Sequence, residues 1–121
     1  TSNPNSIAQK AALAALQSDD SFPKQMCLEF QKRRDYLINR MKDNPKIKCI
    51  VPRGAFYMFC DISSTKMDSD VFATRLLEEA LVAVIPGSGF GRKDYIRISF
   101  AASLNSLETA MNRISDWMKK I

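Results

Sequence analysis

The chain has 121 residues, 45% of them hydrophobic and 26% charged, which is apolar enough to build one compact core and too mixed for a disordered or low-complexity chain. Lysine and arginine outnumber the acids 18 to 13, a net charge of +5, and histidine is absent; triads with histidine, His-ligated zinc and imidazole acid–base chemistry are thereby excluded from this chain. The longest apolar runs, 81–86 and 55–60, fall far short of the roughly 18 to 20 residues that cross a bilayer, so no membrane partner is expected.

The opening residues, TSNPNSIAQK, carry neither a basic n-region nor an apolar h-region and no initiator methionine, so position 1 reads as a cut. Asn3-Pro4 is a helix-start signal, and Ile7, Ala8, Ala11, Ala12, Ala14 and Ala15 follow at helical spacing, predicting an alanine-faced helix over 4–17 that docks onto another surface. Asp19-Asp20-Ser21 interrupts and caps, and Pro23 sits in the first turn of a long helix reaching about Asp43. Its apolar face carries Met26, Phe30, Leu37 and Met41, and Asn44-Pro45 stops it.

Residues 46–51 set Ile47, Cys49 and Val51 against Lys46, Lys48 and Ile50, and Pro52-Arg53-Gly54 then turns the chain into a second strand over 55–60. A loop over 61–66 leads to a helix capped by Asp68 or Ser69 and carrying Val71, Phe72, Leu76, Leu77 and Ala80. A short apolar strand over 82–85 and a glycine-rich loop precede a strand over 95–101. The last helix, capped by Ser103 or Asn105, places Leu104, Leu107, Met111, Ile114 and Met118 on one stripe. The order α-α-β-β-α-β-β-α predicts an α+β fold, a two-layer sandwich with helices on one face of a small sheet.

Cys27, Cys49 and Cys60 are odd in number and widely spaced, a pattern of buried thiols in a reducing compartment, which places the protein in the cytoplasm. The basic clusters Lys32-Arg33-Arg34, Arg92-Lys93 and Lys119-Lys120 are scattered and read as solvated faces, so nucleic acid is not expected as a partner.

Gly87-Ser88-Gly89-Phe90-Gly91 looks like a phosphate loop, but a phosphate loop opens into a helix, whereas this one runs into a strand and lacks Gly-Lys-Ser/Thr. It reads as a turn between strands beside a site. In the strand that follows, Ile96, Ile98 and Phe100 alternate with Tyr95, Arg97 and Ser99, which puts Arg97 on a polar face with two hydroxyls. Its planar fork suits bidentate capture of a carboxylate, although the spacing alone favours an ordinary ion pair at a sheet edge. Phe56 and Tyr57, behind Gly54 and Ala55, are candidates for a pocket wall or for core. Asp61, Asp68, Asp70, Glu78 and Glu79 show no paired spacing, and neither a catalytic residue nor a metal ligand is assigned.

Taken together, Gly54-Ala55-Phe56-Tyr57, Leu76-Leu77, Val84-Ile85-Pro86-Gly87-Ser88-Gly89-Phe90-Gly91 and Tyr95-Ile96-Arg97-Ile98-Ser99-Phe100-Ala101 resemble, in order and interval, the C-terminal part of a class I aminotransferase of fold type I. Thr1-Ser2-Asn3-Pro4 with the alanine helix is similar to the segment after the cofactor lysine in aspartate-aminotransferase-like enzymes. The resemblance implies residues 1–18 as a helix leading from a large domain and 19–121 as the C-terminal small domain. It also implies that the full-length protein is a pyridoxal 5'-phosphate enzyme and a homodimer, transferring an amino group between an amino acid, aspartate by the likeness, and a 2-oxo acid. Arg97 matches the residue that binds the substrate α-carboxylate.

The motifs for the Schiff-base lysine, the pyridine-nitrogen partner and the phosphate groups are not among these residues, and Ser64-Thr65-Lys66 does not fit them. The resemblance therefore implies that this chain alone binds no cofactor and is inactive. A rival reading is a basic α+β nucleic-acid-binding or protein-interaction module using Arg53, Arg92, Arg97, Tyr57 and Tyr95, though no RNP-type pattern is present. A stand-alone amino-acid-sensing domain is a third.

Overall fold

Three of the four helices start where a short polar side chain takes up free amide protons of the first turn. In the computed structural model, which describes residues 2–121, Asn5 accepts from the amides of Ile7 and Ala8 and opens α1 (Ser6–Gln17). Asp68 accepts from Asp70 to open α3 (Ser69–Ala80), and Ser103 accepts from Ser106 to open α4 (Leu104–Met118). In α2 (Ser21–Met41) the residue at the cap, Asp20, makes no such bond; Asp19 instead accepts from the Ser21 amide and hydroxyl at 3.1 and 2.6 Å. The first helix thus begins two residues later than Asn3-Pro4 suggests, because the Asn5 side chain is the one in reach.

Four short strands, β1 (Lys48–Cys49), β2 (Tyr57–Asp61), β3 (Ile85–Pro86) and β4 (Tyr95–Ser99), form one antiparallel sheet in the order β1-β2-β4-β3. Strand β1 is shorter than the expected 46–51, since only Lys48 and Cys49 find partners, opposite Asp61 and Cys60. Likewise β3 holds only Ile85 and Pro86, opposite Arg97 and Ile96, and 82–84 runs outside the ladder.

The alternation of β2 and β4 decides the layers. Met58, Cys60, Ile96 and Ile98 turn inward and are buried against Leu37 and Met41 of α2, Phe72 and Leu76 of α3, and Leu107, Met111, Ile114 and Trp117 of α4. The helices therefore cover one face, giving the α+β two-layer sandwich expected. Phe72 meets the Trp117 ring edge-on at 5.1 Å, and the Trp117 indole donates to Glu79 at 2.7 Å.

Several apolar residues assigned to the core are exposed: Met26 in α2, Val71 and Leu77 in α3, and Leu104 in α4. Val71 and Leu77 lie to the side of the buried stripe of α3, whereas Met26 and Leu104 are on the stripes of α2 and α4 but within stretches, 21–28 and 103–106, that are exposed all round. No residue of α1 is buried, and Ile7 and Leu16 retain 77% and 85% of their exposure. Thr1, the start of the segment similar to the one after the cofactor lysine, lies outside the described residues.

The cysteines depart from expectation. Cys49 and Cys60 face each other across the β1–β2 ladder and form a disulfide, and Cys27 is exposed rather than buried. Facing positions of an antiparallel pair approach within about 4.5 to 5.5 Å, close enough for a bridge. Among the described residues no helix is long and apolar enough to cross a membrane.

Candidate functional site

The face of the sheet turned away from the helices carries Tyr57, Phe59 and Asp61 from β2 and Tyr95, Arg97 and Ser99 from β4. Register pairs Phe59 with Arg97 and Tyr57 with Ser99, while Ile85 flanks Arg97 on its other side. The guanidinium carbon of Arg97 lies 5.0 Å from the centroid of the Tyr57 ring and 4.9 Å from that of Phe90. Arg97 is half-buried, and among the described residues it enters none of the ion pairs. The ordinary ion pair left open by its spacing is thus not formed, and β4 is an inner strand rather than an edge.

Arg92, five residues earlier, behaves in the opposite way. Its Nε and Nη2 donate to the two oxygens of Asp94 at 2.9 and 2.8 Å, and its guanidinium carbon sits 4.1 Å from the Tyr95 ring centroid. The Asp94 carboxylate raises the Arg92 pKa above the ordinary arginine value, and Arg92 in turn lowers that of Asp94. At the far end of the same face, hydrogen bonds from Ser63 hold the Asp61 carboxyl below the usual range. Arg92 is a satisfied cation and Arg97 an available one.

The glycine loop is what brings Phe90 to Arg97. Residues Gly87–Phe90 form one 3₁₀ turn, the Ser88 amide donates to the buried Ser69 hydroxyl at 3.1 Å, and the amides of Gly91 and Arg92 close back on Ser88 and Gly87. A side chain at Gly87 would run into the carbonyls of Arg92 and Tyr95, and Gly91 has a φ of 78°. The amides of Ser88, Gly91 and Arg92 are therefore taken up within the protein. Lys48 is on the open face opposite Asp61, in a different row from Arg97. Among the described residues the ladder neighbours of Arg97 are Phe59 and Ile85, so no lysine stands beside it to hold a pyridoxal aldehyde, and these residues do not fit that cofactor on their own.

Of the candidate residues, the structure joins Tyr57 to Arg97. Phe56 is not core; it is 52% exposed, meets Tyr57 edge-on at 6.0 Å, and its carbonyl accepts from the Phe100 amide. Arg53 lies apart, in a cleft of about 380 Å³ shared with Cys27, Phe30 and Phe56. The ring of Tyr95 stacks with Phe59 at 4.9 Å. A larger crevice of about 510 Å³, lined by Val82, Ile98, Leu107 and Met111 among others, does not include Arg97. Among the described residues no cluster of His, Cys, Asp or Glu could hold a metal ion.

Comparison with known proteins identifies relatives of the chain. The sequence model described as "Aminotransferase class I and II" matches residues 1–114. The chain is 42% identical over 124 residues to an aspartate aminotransferase of Geobacillus stearothermophilus, covering 98% of this chain and 32% of that protein. It is 46% identical over 116 residues to an aspartate aminotransferase of Pyrococcus horikoshii, covering 93% and 30%. The crystal structure of the aspartate aminotransferase of Rhizobium meliloti superposes with a TM-score of 0.92 at 36% identity, covering 98% of this chain and 32% of that one. The chain spans about a third of the length of the curated relatives it matches.

Proposed function

The chain belongs to the class I and II aminotransferases, and from that premise we propose that Arg97 holds the α-carboxylate of the amino-acid and 2-oxo-acid substrates of the full-length protein. The observation that carries this reading is a half-buried arginine on a rigid inner strand, against two aromatic rings and without an ion-pair partner among the described residues. A guanidinium in that setting offers paired N–H donors to a planar carboxylate, and the surrounding apolar surface strengthens the charge-assisted bonds. Tyr57 is a wall of this subsite, and Phe56 stands behind Tyr57.

On this reading residues 1–18 form the helix that leads from a large domain and 19–121 the small domain. The exposed apolar side chains of α1 support that division, because they lack a surface to pack on within this chain. The open face around Arg97 supports it too: one side of a substrate site is present, and the opposing side belongs to the rest of the protein. The protein then acts as a homodimer on an amino acid, aspartate for preference, and a 2-oxo acid. Pyridoxal 5'-phosphate, held by residues outside this chain, would supply the electron sink for amino transfer, and this chain contributes the orientation of the substrate carboxylate at Arg97. By itself the chain has no transaminase activity.

The cytoplasm is the compartment this reading proposes. The Cys49–Cys60 bridge weighs against it, because a reducing cytosol keeps such pairs as thiols. The deciding experiment compares Arg97→Lys with the wild-type full-length protein. The variant should keep its cofactor absorbance while kcat/KM falls at least about tenfold, since lysine keeps the charge and loses the fork. Wild-type efficiency in the variant would overturn the assignment of Arg97.

A further inference from the structure

Resting on the reading of Arg97 as the carboxylate-binding residue, we infer that Phe90 is a positioning residue, whose ring holds the Arg97 guanidinium in place to receive a carboxylate. An arginine side chain is long and loses much rotational freedom when fixed. Elsewhere in this chain a carboxylate does the fixing, as Glu79 does for Arg75 and Asp94 for Arg92. Arg97 has no such partner among the described residues, and one would compete with the substrate. It has rings instead, Tyr57 at 5.0 Å and Phe90 at 4.9 Å. An aromatic face attracts a cation without occupying its N–H groups, so it restrains the guanidinium and leaves the fork free.

Phe90 is 51% exposed, so core burial does not account for a large apolar ring at this place. The loop is nevertheless built to hold it: the Ser88 amide is tied to Ser69 in α3, Gly91 takes the left-handed conformation that ends the turn, and Gly87 lets the backbone pass close to Arg92 and Tyr95. Behind Phe90 stands Phe59, edge-on at 6.0 Å, itself stacked on Tyr95 at 4.9 Å. A row of rings thus runs along the open face and ends on the cation. Tyr57 is set by the sheet ladder, whereas Phe90 is delivered from a loop, so the orientation of Arg97 depends on that loop being in place.

The test is calorimetric binding of succinate, a dicarboxylate with no amino or oxo group to react, to the full-length protein. Phe90→Leu keeps apolar bulk and removes the π face; it should bind about three- to tenfold more weakly, while Phe90→Tyr stays within about twofold of wild type. In turnover the KM for the amino donor should rise in Phe90→Leu by a similar factor with kcat changed less, the split expected when uniform substrate binding is weakened. Tyr95→Leu perturbs the far end of the same row, where the ring meets Phe59 and Arg92 rather than Arg97, and should bind as wild type. Phe90→Met is measured alongside, so that a folding defect in one variant leaves the other to decide.

If Phe90→Leu and Phe90→Met bind succinate as wild type does while Arg97→Lys binds at least about tenfold more weakly, the inference fails and the assignment of Arg97 stands. If Tyr95→Leu loses as much as Phe90→Leu, general packing of the row is responsible and the inference is overturned. If Arg97→Lys itself binds normally, the assignment of Arg97 falls, and this inference with it.

Discussion

Strands β2 and β4 present two faces made of alternate residues of the same ten positions, and the two faces solve different problems. Inward, Met58, Cys60, Ile96 and Ile98 vanish into the helices, each with no more than 7% of its surface exposed. Outward, Tyr57, Phe59, Tyr95 and Arg97 stay half-buried, linked by ring contacts rather than by a covering layer. A backbone rigid enough to bury one face fixes the other, so the outward side chains are held in register without being enclosed. Stability and binding are thereby assigned to adjacent residues, and substitutions should separate them.

The sharpest separation sets Arg97→Ala against Ile96→Ala. In the full-length protein Arg97→Ala should cost on the order of 2 to 5 kcal/mol in kcat/KM, with the melting temperature nearly unchanged. Ile96→Ala, at 0% exposure, should cost about 2 to 5 kcal/mol of folding stability, with the folded fraction keeping its kcat/KM. Equal losses of melting temperature in the two variants would erase the distinction between the faces.

Reducing the Cys49–Cys60 bridge loosens the edge of the inward face. Opening a loop of this size should remove about 2 to 3 kcal/mol of stability, seen as a lower denaturation midpoint with reductant. A thiol count should give one reactive group before reduction, Cys27, and three after reduction and unfolding.

A smaller contrast lies within the outward face. Arg92→Lys should change kcat/KM by less than about twofold, because Arg92 is occupied by Asp94 and exposed pairs contribute little. The acid titration of stability gives the smallest effect. Because Arg92 lowers the folded-state pKa of Asp94, the stability this group contributes is present above its unfolded value, about 3.9, and is lost as pH falls through the folded one. Melting temperatures from pH 7 down to 2 should therefore show a shallower acid limb for Asp94→Asn than for the wild type, and parallel behaviour above about pH 5.

The inward face was legible because alternation and helical spacing are local: Ile96, Ile98 and Phe100, and the stripe from Leu107 to Met118, read directly as buried. Arg97 was legible as a cation on a polar face. Its surroundings were not, since the approach of Phe90 depends on how the loop folds against α3 and on the buried Ser69, and spacing does not encode that. The Cys49–Cys60 bridge was missed for a related reason: it follows from the β1–β2 register, which joins cysteines eleven positions apart across the connection over 50–56. Met26, Val71, Leu77 and Leu104 show the limit of periodicity, which finds an apolar stripe and not how much of it the neighbouring layer covers.

The disulfide also gives the chain an unusual response to cutting. Residues 50–56 bulge out between β1 and β2 with Arg53 and Gly54 exposed, an accessible site for a trypsin-like protease. Scission after Arg53 would divide the polypeptide between its two bridged cysteines, leaving Cys49 on one piece and Cys60 on the other. The nicked molecule would keep the mass of the intact chain plus one water until reductant releases two peptides. Gel mobility with and without reductant would then report directly whether β1 is covalently sewn to the sheet in a given preparation.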